Sequence, residues 1–317
     1  MPSYRECLIQ KFWDYRKAMF GVADDCFDRP FAPTTRPPVF KPVHASKNVL
    51  LRDGIPEAER AAVLSTISVG SRHKWFRSLA SSQALTQSVF GNLIVYDRSS
   101  CLRPLVRDDG KPLFFRDTPN GCKCQLEFEV DYLGEKIPGQ TSIDVLFNGD
   151  YRVAVECKLS ETEVGSCSRS RLRLTEPHYC DGRYVVQRGR ISRCSLTEIG
   201  VSYWKYIPEL FNWSAEIDHA SCSLNPTYQL VRNLLAVCVD RTGSVSQDSG
   251  HAVLLYDDRN PAFQAGGIGM TAWTKVRAAL KRPSLMQKCT WQKVVSCFRQ
   301  DDELSWLGMK VHEKYGF

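Results

Sequence analysis

Apolar and acidic residues alternate from Cys124 to Tyr132, with Leu126, Phe128 and Val130 on one face and Glu127, Glu129 and Asp131 on the other. That period of two is the mark of a half-buried strand. A loop carrying Gly134, Pro138 and Gly139 follows, then a second alternating run from Ser142 to Phe147. The turn signal Asn148-Gly149-Asp150 and a third run from Tyr151 to Ser160 come next. Short alternating runs about an Asn-Gly pair predict a hairpin, so the three runs read as an antiparallel meander. Upstream, the pattern predicts an amphipathic helix ending near Phe20 and another opened by Pro56. A third is predicted over residues 75–93, where Phe76, Leu79, Leu85 and Val89 fall at helical spacing. Residues 28–42 are proline-rich and predict an extended tether over the surface. Beyond the third run the pattern weakens, with one helical piece at residues 203–211. A clear amphipathic helix at 227–240 and a short buried strand at 251–257 follow. The tail from Thr271 reads as helical and at first basic, with Trp291, Val295 and Trp306 as anchors.

This order of elements argues for one α/β domain with a mixed central sheet. Residues 1–70 would form N-terminal helices and the tether, 71–262 the core with an insertion at 163–226, and 263–317 a C-terminal helical extension packed on that core. The 317 residues are 43% hydrophobic, enough for a large core, and the 24% charged share argues against global disorder. A net charge of +7 and a pI near 8.7 suit a polyanionic partner without demanding one. The N-terminal stretch has no apolar segment of signal-peptide type, and no run approaches a membrane span, so the expected compartment is the cytoplasm. Thirteen cysteines in such a chain predict free thiols, small buried hydrophobes or metal ligands rather than disulfides.

Chemistry concentrates on the hairpin. In Tyr151 to Ser160, Glu156 and Lys158 share the face opposite Val153, Val155 and Cys157. In the partner run, Ile143, Val145 and Phe147 define the apolar face and Asp144 points the other way. A two-residue turn would mismatch the faces. A three-residue loop of Asn148, Gly149 and Asp150, or a bulge, sets Asp144 opposite Ala154 and one diagonal step from Glu156. Face matching therefore predicts an odd-length turn and groups Asp144, Glu156 and Lys158. Two carboxylates supply hard oxygen ligands for Mg²⁺ or Mn²⁺, with the backbone carbonyl of Cys157 facing the same ion. Lys158 would orient an attacking water or stabilise the anion.

Ser142-Ile143-Asp144 followed, after a hairpin, by Val155-Glu156-Cys157-Lys158 resembles the PD-(D/E)XK nuclease superfamily with its restriction-endonuclease-like fold. The resemblance spans roughly residues 75–257, whose order matches that superfamily's αβββαβ core. It implies a Mg²⁺-dependent nuclease acting on DNA, of restriction or defence type. Ile143 stands where the motif name has proline. By the same resemblance Gln229 lines the site, as in RecB-like and λ-exonuclease-like members, and Gln83 occupies a helix position where many members carry a glutamate. Glu127 or Glu129 would then supply the third carboxylate, and Glu129 is the candidate metal ligand. The segments SSQAL, SIDV, ECK and YQLVRN also resemble those of bacterial proteins classed as restriction endonucleases.

The insertion holds Cys167, Cys180, Cys194 and Cys222, a candidate second metal site for Zn²⁺ or an Fe–S cluster. No CxxC pair is present, the close pair Cys122 and Cys124 is an alternative contributor, and isolated buried cysteines are the plain reading. The same insertion carries Arg169, Arg171 and Arg173, with Arg183, Arg188, Arg190 and Arg193 beyond. Alternating with Ser and Leu in an extended segment, the first three would contact phosphates; a solvated basic loop is the alternative. Tyr203, Trp204, Tyr206, Phe211 and Trp213 read as core or as base-stacking groups. Gly266-Gly267-Ile268-Gly269 reads as a turn, and His178, His219 and His251 as surface or core groups. Two other functions compete with a nuclease: a nucleic-acid-binding protein of the same fold without turnover, and a structural metalloprotein.

Overall fold

A computed structural model describes residues 2–21, 25–107, 109–115, 121–135, 142–186 and 189–317. Thr141, the Pro138-Gly139 loop and Arg188 lie outside them. Ser3 caps the first helix, α1 (Tyr4–Phe20), in a reciprocal capping box with Glu6. After α2 (Glu57–Ser65), Ser81 caps α3 (Ser82–Thr86), which runs through a π-helical turn at Gln87–Gly91 into α4 (Asn92–Val95). The helix expected from residue 75 thus begins at Ser82, because the cap fixes its start. The proline-rich stretch is no loose tether. Phe27 pairs with Phe40 across an isolated bridge, their rings stack at 4.3 Å, and Val39 and Phe40 are buried.

The strands β1 (Lys123–Glu129), β2 (Ser142–Asn148) and β3 (Arg152–Cys157) form the antiparallel meander. The insertion contains α5 (Ser195–Glu198) and α6 (Tyr203–Leu210). Then α7 (Tyr228–Cys238) leads back to β4 (Gly250–Tyr256), parallel to β3. The chain continues through α8 (Ile268–Ala279) to β5 (Met286–Thr290), parallel to β4, and ends with α9 (Trp291–Phe298) and α10 (Ser305–Tyr315). The tail expected to be a helical extension therefore also supplies a strand. Among the described residues the sheet runs β1-β2-β3-β4-β5, which places β3 at its centre. No helix among them is long and apolar enough to cross a membrane.

Both faces of the sheet are covered, giving three layers. Val145, Phe147, Val153, Val155 and Val253 pack in one core with side chains of α1, α3, α9 and α10. Leu146, Ala154, Ala252, Leu254 and Met286 pack in the other with α6, α7 and α8. Tyr203, Trp204, Tyr206 and Phe211 belong to that second core, and Trp213 packs against it. The predicted alternation breaks at Glu127, whose φ of 48° is left-handed. Leu126 and Val145 face the first core, whereas Phe128, Val130 and Ile143 join the second.

The hairpin turn has the expected odd length, shifted by one residue. Val145 pairs with Val155 and Phe147 with Val153, so residues 149–151 form the loop and Ala154 stands across from Leu146 rather than Asp144. A Cβ on Gly149 would sit 2.8 Å from Cys122 Sγ, which accounts for glycine in that turn.

His251, fully buried on β4, shares a 3.1 Å hydrogen bond between Nδ1 and the Tyr151 hydroxyl. Burial pushes its pKa down to about 3. The native state therefore holds the ring neutral while the unfolded chain protonates near pH 6.5. Stability should be complete above about pH 6.5 and fall as pH drops toward about 3. Urea midpoints measured between about pH 7 and pH 4 should fall less steeply in His251→Gln than in the wild type; equal slopes would refute this assignment.

Candidate active site

Glu156 and Lys158 project from the central strand toward α7. Lys158 Nζ lies 2.7 Å from Glu156 Oε1 and donates to Gln229 Oε1 at 3.0 Å. Asn233, one turn further along α7, donates to Glu156 Oε2 at 2.8 Å. Positions i and i+4 share a helix face, so Gln229 and Asn233 meet the pair together. Arg232 NH2 stands 3.8 Å from Glu156 Oε2, and its Nε and NH2 donate to Asn233 Oδ1 at 3.1 and 2.6 Å. A fully buried guanidinium costs several kcal/mol unless a carboxylate offsets it; Glu156, 1% exposed, is that carboxylate. Gly165, at φ +103°, faces the same helix, and a Cβ there would lie 1.6 Å from Gln229 Oε1.

The acidic side of the site is half-buried. Asp144 Oδ2 accepts the Cys157 N–H at 2.6 Å, so the contact seen for Cys157 is made by its amide. Glu127 accepts from Gln83 Nε2 at 2.7 Å and from the Ser142 hydroxyl. Glu129, by contrast, is exposed at the strand end. Glu127 is therefore the third carboxylate at the site: its left-handed backbone redirects the side chain, and Gln83 reaches the cluster through it.

Charge crowding sets the electrostatics. Burial, then Glu156 and Glu127, push Asp144 well above the usual carboxylate range. Burial, with a contribution from Glu156, also raises Glu127. For Lys158, burial alone would lower the pKa, but Glu156, Glu161 and Asp144 outweigh it and hold the ammonium above the ordinary lysine value. A lysine held in its ammonium form by these carboxylates is suited to donating hydrogen bonds and unsuited to removing a proton.

The end of β3 is held by distant parts of the chain. Trp291 Nε1 donates to Lys158 O at 3.0 Å. The Tyr4 hydroxyl donates to Leu159 O and Asp257 Oδ2, both at 2.9 Å. Asn260 Nδ2 donates to Leu159 O and Glu161 O, also at 2.9 Å.

A family model described as restriction endonuclease associating with ARP matches residues 33–316. The chain belongs to this family. It has the restriction-endonuclease-like fold, with the mixed sheet and flanking helices described above. No curated protein and no solved structure matches it.

In this restriction-endonuclease family member the insertion is arranged differently from the expectation. Ser168–Arg171 is a 3-10 turn. Arg169 lines a cavity with the four cysteines, Arg171 pairs with Glu163 at 2.8 Å, and Arg173 remains exposed. Arg183 and Arg193 pair with Asp181 and Asp218 at 2.6 Å. Cys122 and Cys124 pack against the first core instead of joining the insertion's cysteines. Sequence reasoning missed Arg232 and Asn233. The available signal was two polar residues in the apolar run Leu230 to Val239, at i+3 and i+4 from Gln229.

The raised pKa of Asp144 has a stability consequence. An ionised carboxylate there opposes folding above its native pKa, and the penalty vanishes once both states are protonated below about pH 3.9. Asp144→Asn, which can still accept the Cys157 N–H, should raise stability at neutral pH by about 1 kcal/mol. The gain should shrink on acidification. A neutral-pH loss of stability in urea or thermal unfolding would contradict this electrostatic reading.

Proposed function

We propose that the protein is a metal-dependent deoxyribonuclease of restriction or defence type, hydrolysing DNA phosphodiester bonds. The observation that carries this reading is the convergence of Asp144, Glu156 and Lys158 on one side of a central strand, with Gln229 on the lysine. The donor set fits a hard divalent cation. Asp144 and Glu127 are raised by burial and by neighbouring carboxylates, a repulsion that a dication reverses. Mg²⁺ takes few protein ligands and keeps waters and a substrate phosphate, so two carboxylates are enough to hold it. Asp144 and Glu156 would hold Mg²⁺ or Mn²⁺, which supplies an acidified water and neutralises charge at phosphorus.

The chain's own residues divide the remaining work. Lys158 carries a fixed positive charge to where anionic charge develops, and Gln229 holds its direction. Arg232 and Asn233 fix Glu156 from behind. Gln83 and Ser142 orient Glu127 at the half-buried edge. Arg173, one of the exposed arginines of the insertion, would contact a phosphate.

Supercoiled, linear and single-stranded DNA, with RNA as a parallel substrate, should be incubated with Mg²⁺, Mn²⁺ or chelator. Divalent-dependent DNA cleavage is expected, falling by at least about 100-fold in Asp144→Ala, Glu156→Ala and Lys158→Ala while binding persists. Cleavage unaffected in all three variants would sink the site, and salt-dependent binding without cleavage would favour the non-enzyme reading.

A further inference from the structure

Residues 163–226 form a long stretch with little regular structure: α5 has four residues, α6 eight, and two 3-10 turns complete it. Irregular segments of this length need a cross-link or their own core to keep one conformation. None of the thirteen cysteines is in a disulfide. Yet Cys167, Cys180, Cys194 and Cys222, from four separate turns, line a single cavity with Arg169, Ser170, Leu196 and Asn225. Backbone hydrogen bonds draw those turns together. Cys167 N–H donates to Asn225 O at 2.8 Å, Cys180 N–H to Arg169 O at 3.1 Å, and Cys222 N–H to Gly182 O at 2.7 Å.

The sulfurs share a second feature. The backbone amide two residues on points at Cys167, from Arg169. Those two and three residues on point at Cys194, from Leu196 and Thr197, and at Cys222, from Leu224 and Asn225. The buried Trp204 indole N–H, without a hydrogen-bond acceptor of its own, lies beside Cys194. A neutral thiol is a weak acceptor, whereas a thiolate is a strong one. Donors aimed at three sulfurs in one cavity are therefore matched to thiolates. Four thiols gathered from separate turns round one small cavity are a donor set for a tetrahedral cation.

We propose that Cys167, Cys180, Cys194 and Cys222 form a structural four-thiolate Zn²⁺ site that ties the turns of the insertion to one another beside α7. The cavity has room for about one water-sized sphere, which suits a single tetrahedral ion rather than an Fe–S cubane. Among the described residues no three ligating side chains already stand in a metal-holding arrangement, so the thiols close on the ion by side-chain rotation. Each coordinated thiol releases its proton to solvent, and no oxidant or reductant is needed. The clip would brace the site described above. Cys167 is tied to Asn225, three residues before α7, and Gln229 N–H donates to Gly165 O at 3.3 Å.

The full chain, purified under reducing conditions without chelator, should contain about one zinc per molecule and no iron or acid-labile sulfide. The double variant Cys194→Ser/Cys222→Ser should lose the zinc and unfold at lower temperature, and Cys7→Ala should keep it. Protein grown with Co²⁺ should show tetrahedral d–d bands and thiolate-to-cobalt charge transfer. Because these readouts involve neither DNA nor cleavage, they stand apart from the cleavage test. Folded metal-free protein, stoichiometric iron with sulfide, disulfides among these cysteines, or zinc retained in the double variant would each overturn the proposal.

Discussion

A glutamate and a lysine, 2.7 Å apart at the end of a strand covered on both faces, are the constraint around which this molecule is organised. Burying such a pair is unfavourable unless every remaining donor and acceptor is met. Here Glu156 is met by Asn233 and Arg232, and Lys158 by Gln229. All three of those partners lie on one helix, so α7 has to pack across β3 in a single orientation. The parallel crossover from β3 through α7 to β4 sets that orientation. The site is thus the polar seam of the second core.

The carboxylates at the front of this seam are in tension with one another. Asp144 and Glu127 reach it from β2 and β1, and the meander brings them closer to Glu156 than three carboxylates would settle unaided. Lys158 and Arg232 offset part of that charge from behind. What remains is an excess of negative potential on the half-buried side. The same crowding that disfavours the ionised site also makes it receptive to a cation.

Much of this could be read from residue order. Alternation about Asn148-Gly149 predicted the hairpin and its odd turn, although Ile143 packs in the second core and not with Val145 and Phe147 in the first. The YQLVRN run predicted the helix that bears Gln229. Other parts depended on distant contacts. Met286 to Thr290 has no alternation and becomes a strand because β4 offers it an unpaired edge. Nothing in CQLEFEVDY signals a left-handed glutamate, so the choice of Glu127 over Glu129 was hidden. Arg232 and Asn233 gain meaning only from Glu156, some 77 residues earlier. The proline-rich stretch looked like a tether because its prolines masked Phe27, Val39 and Phe40, which pin it.

The bonds that fix the end of β3 also carry a temporal meaning. Tyr4 is 155 residues before its acceptor Leu159, and Trp291 is 133 residues after Lys158. Contacts this remote in sequence close late, after local helices and hairpins have formed. During synthesis from the N-terminus, the chain holds every carboxylate of the site long before Trp291 exists. The Lys158 backbone stays without its indole partner for that interval. Assembly of the site thus follows, rather than accompanies, production of the residues that compose it.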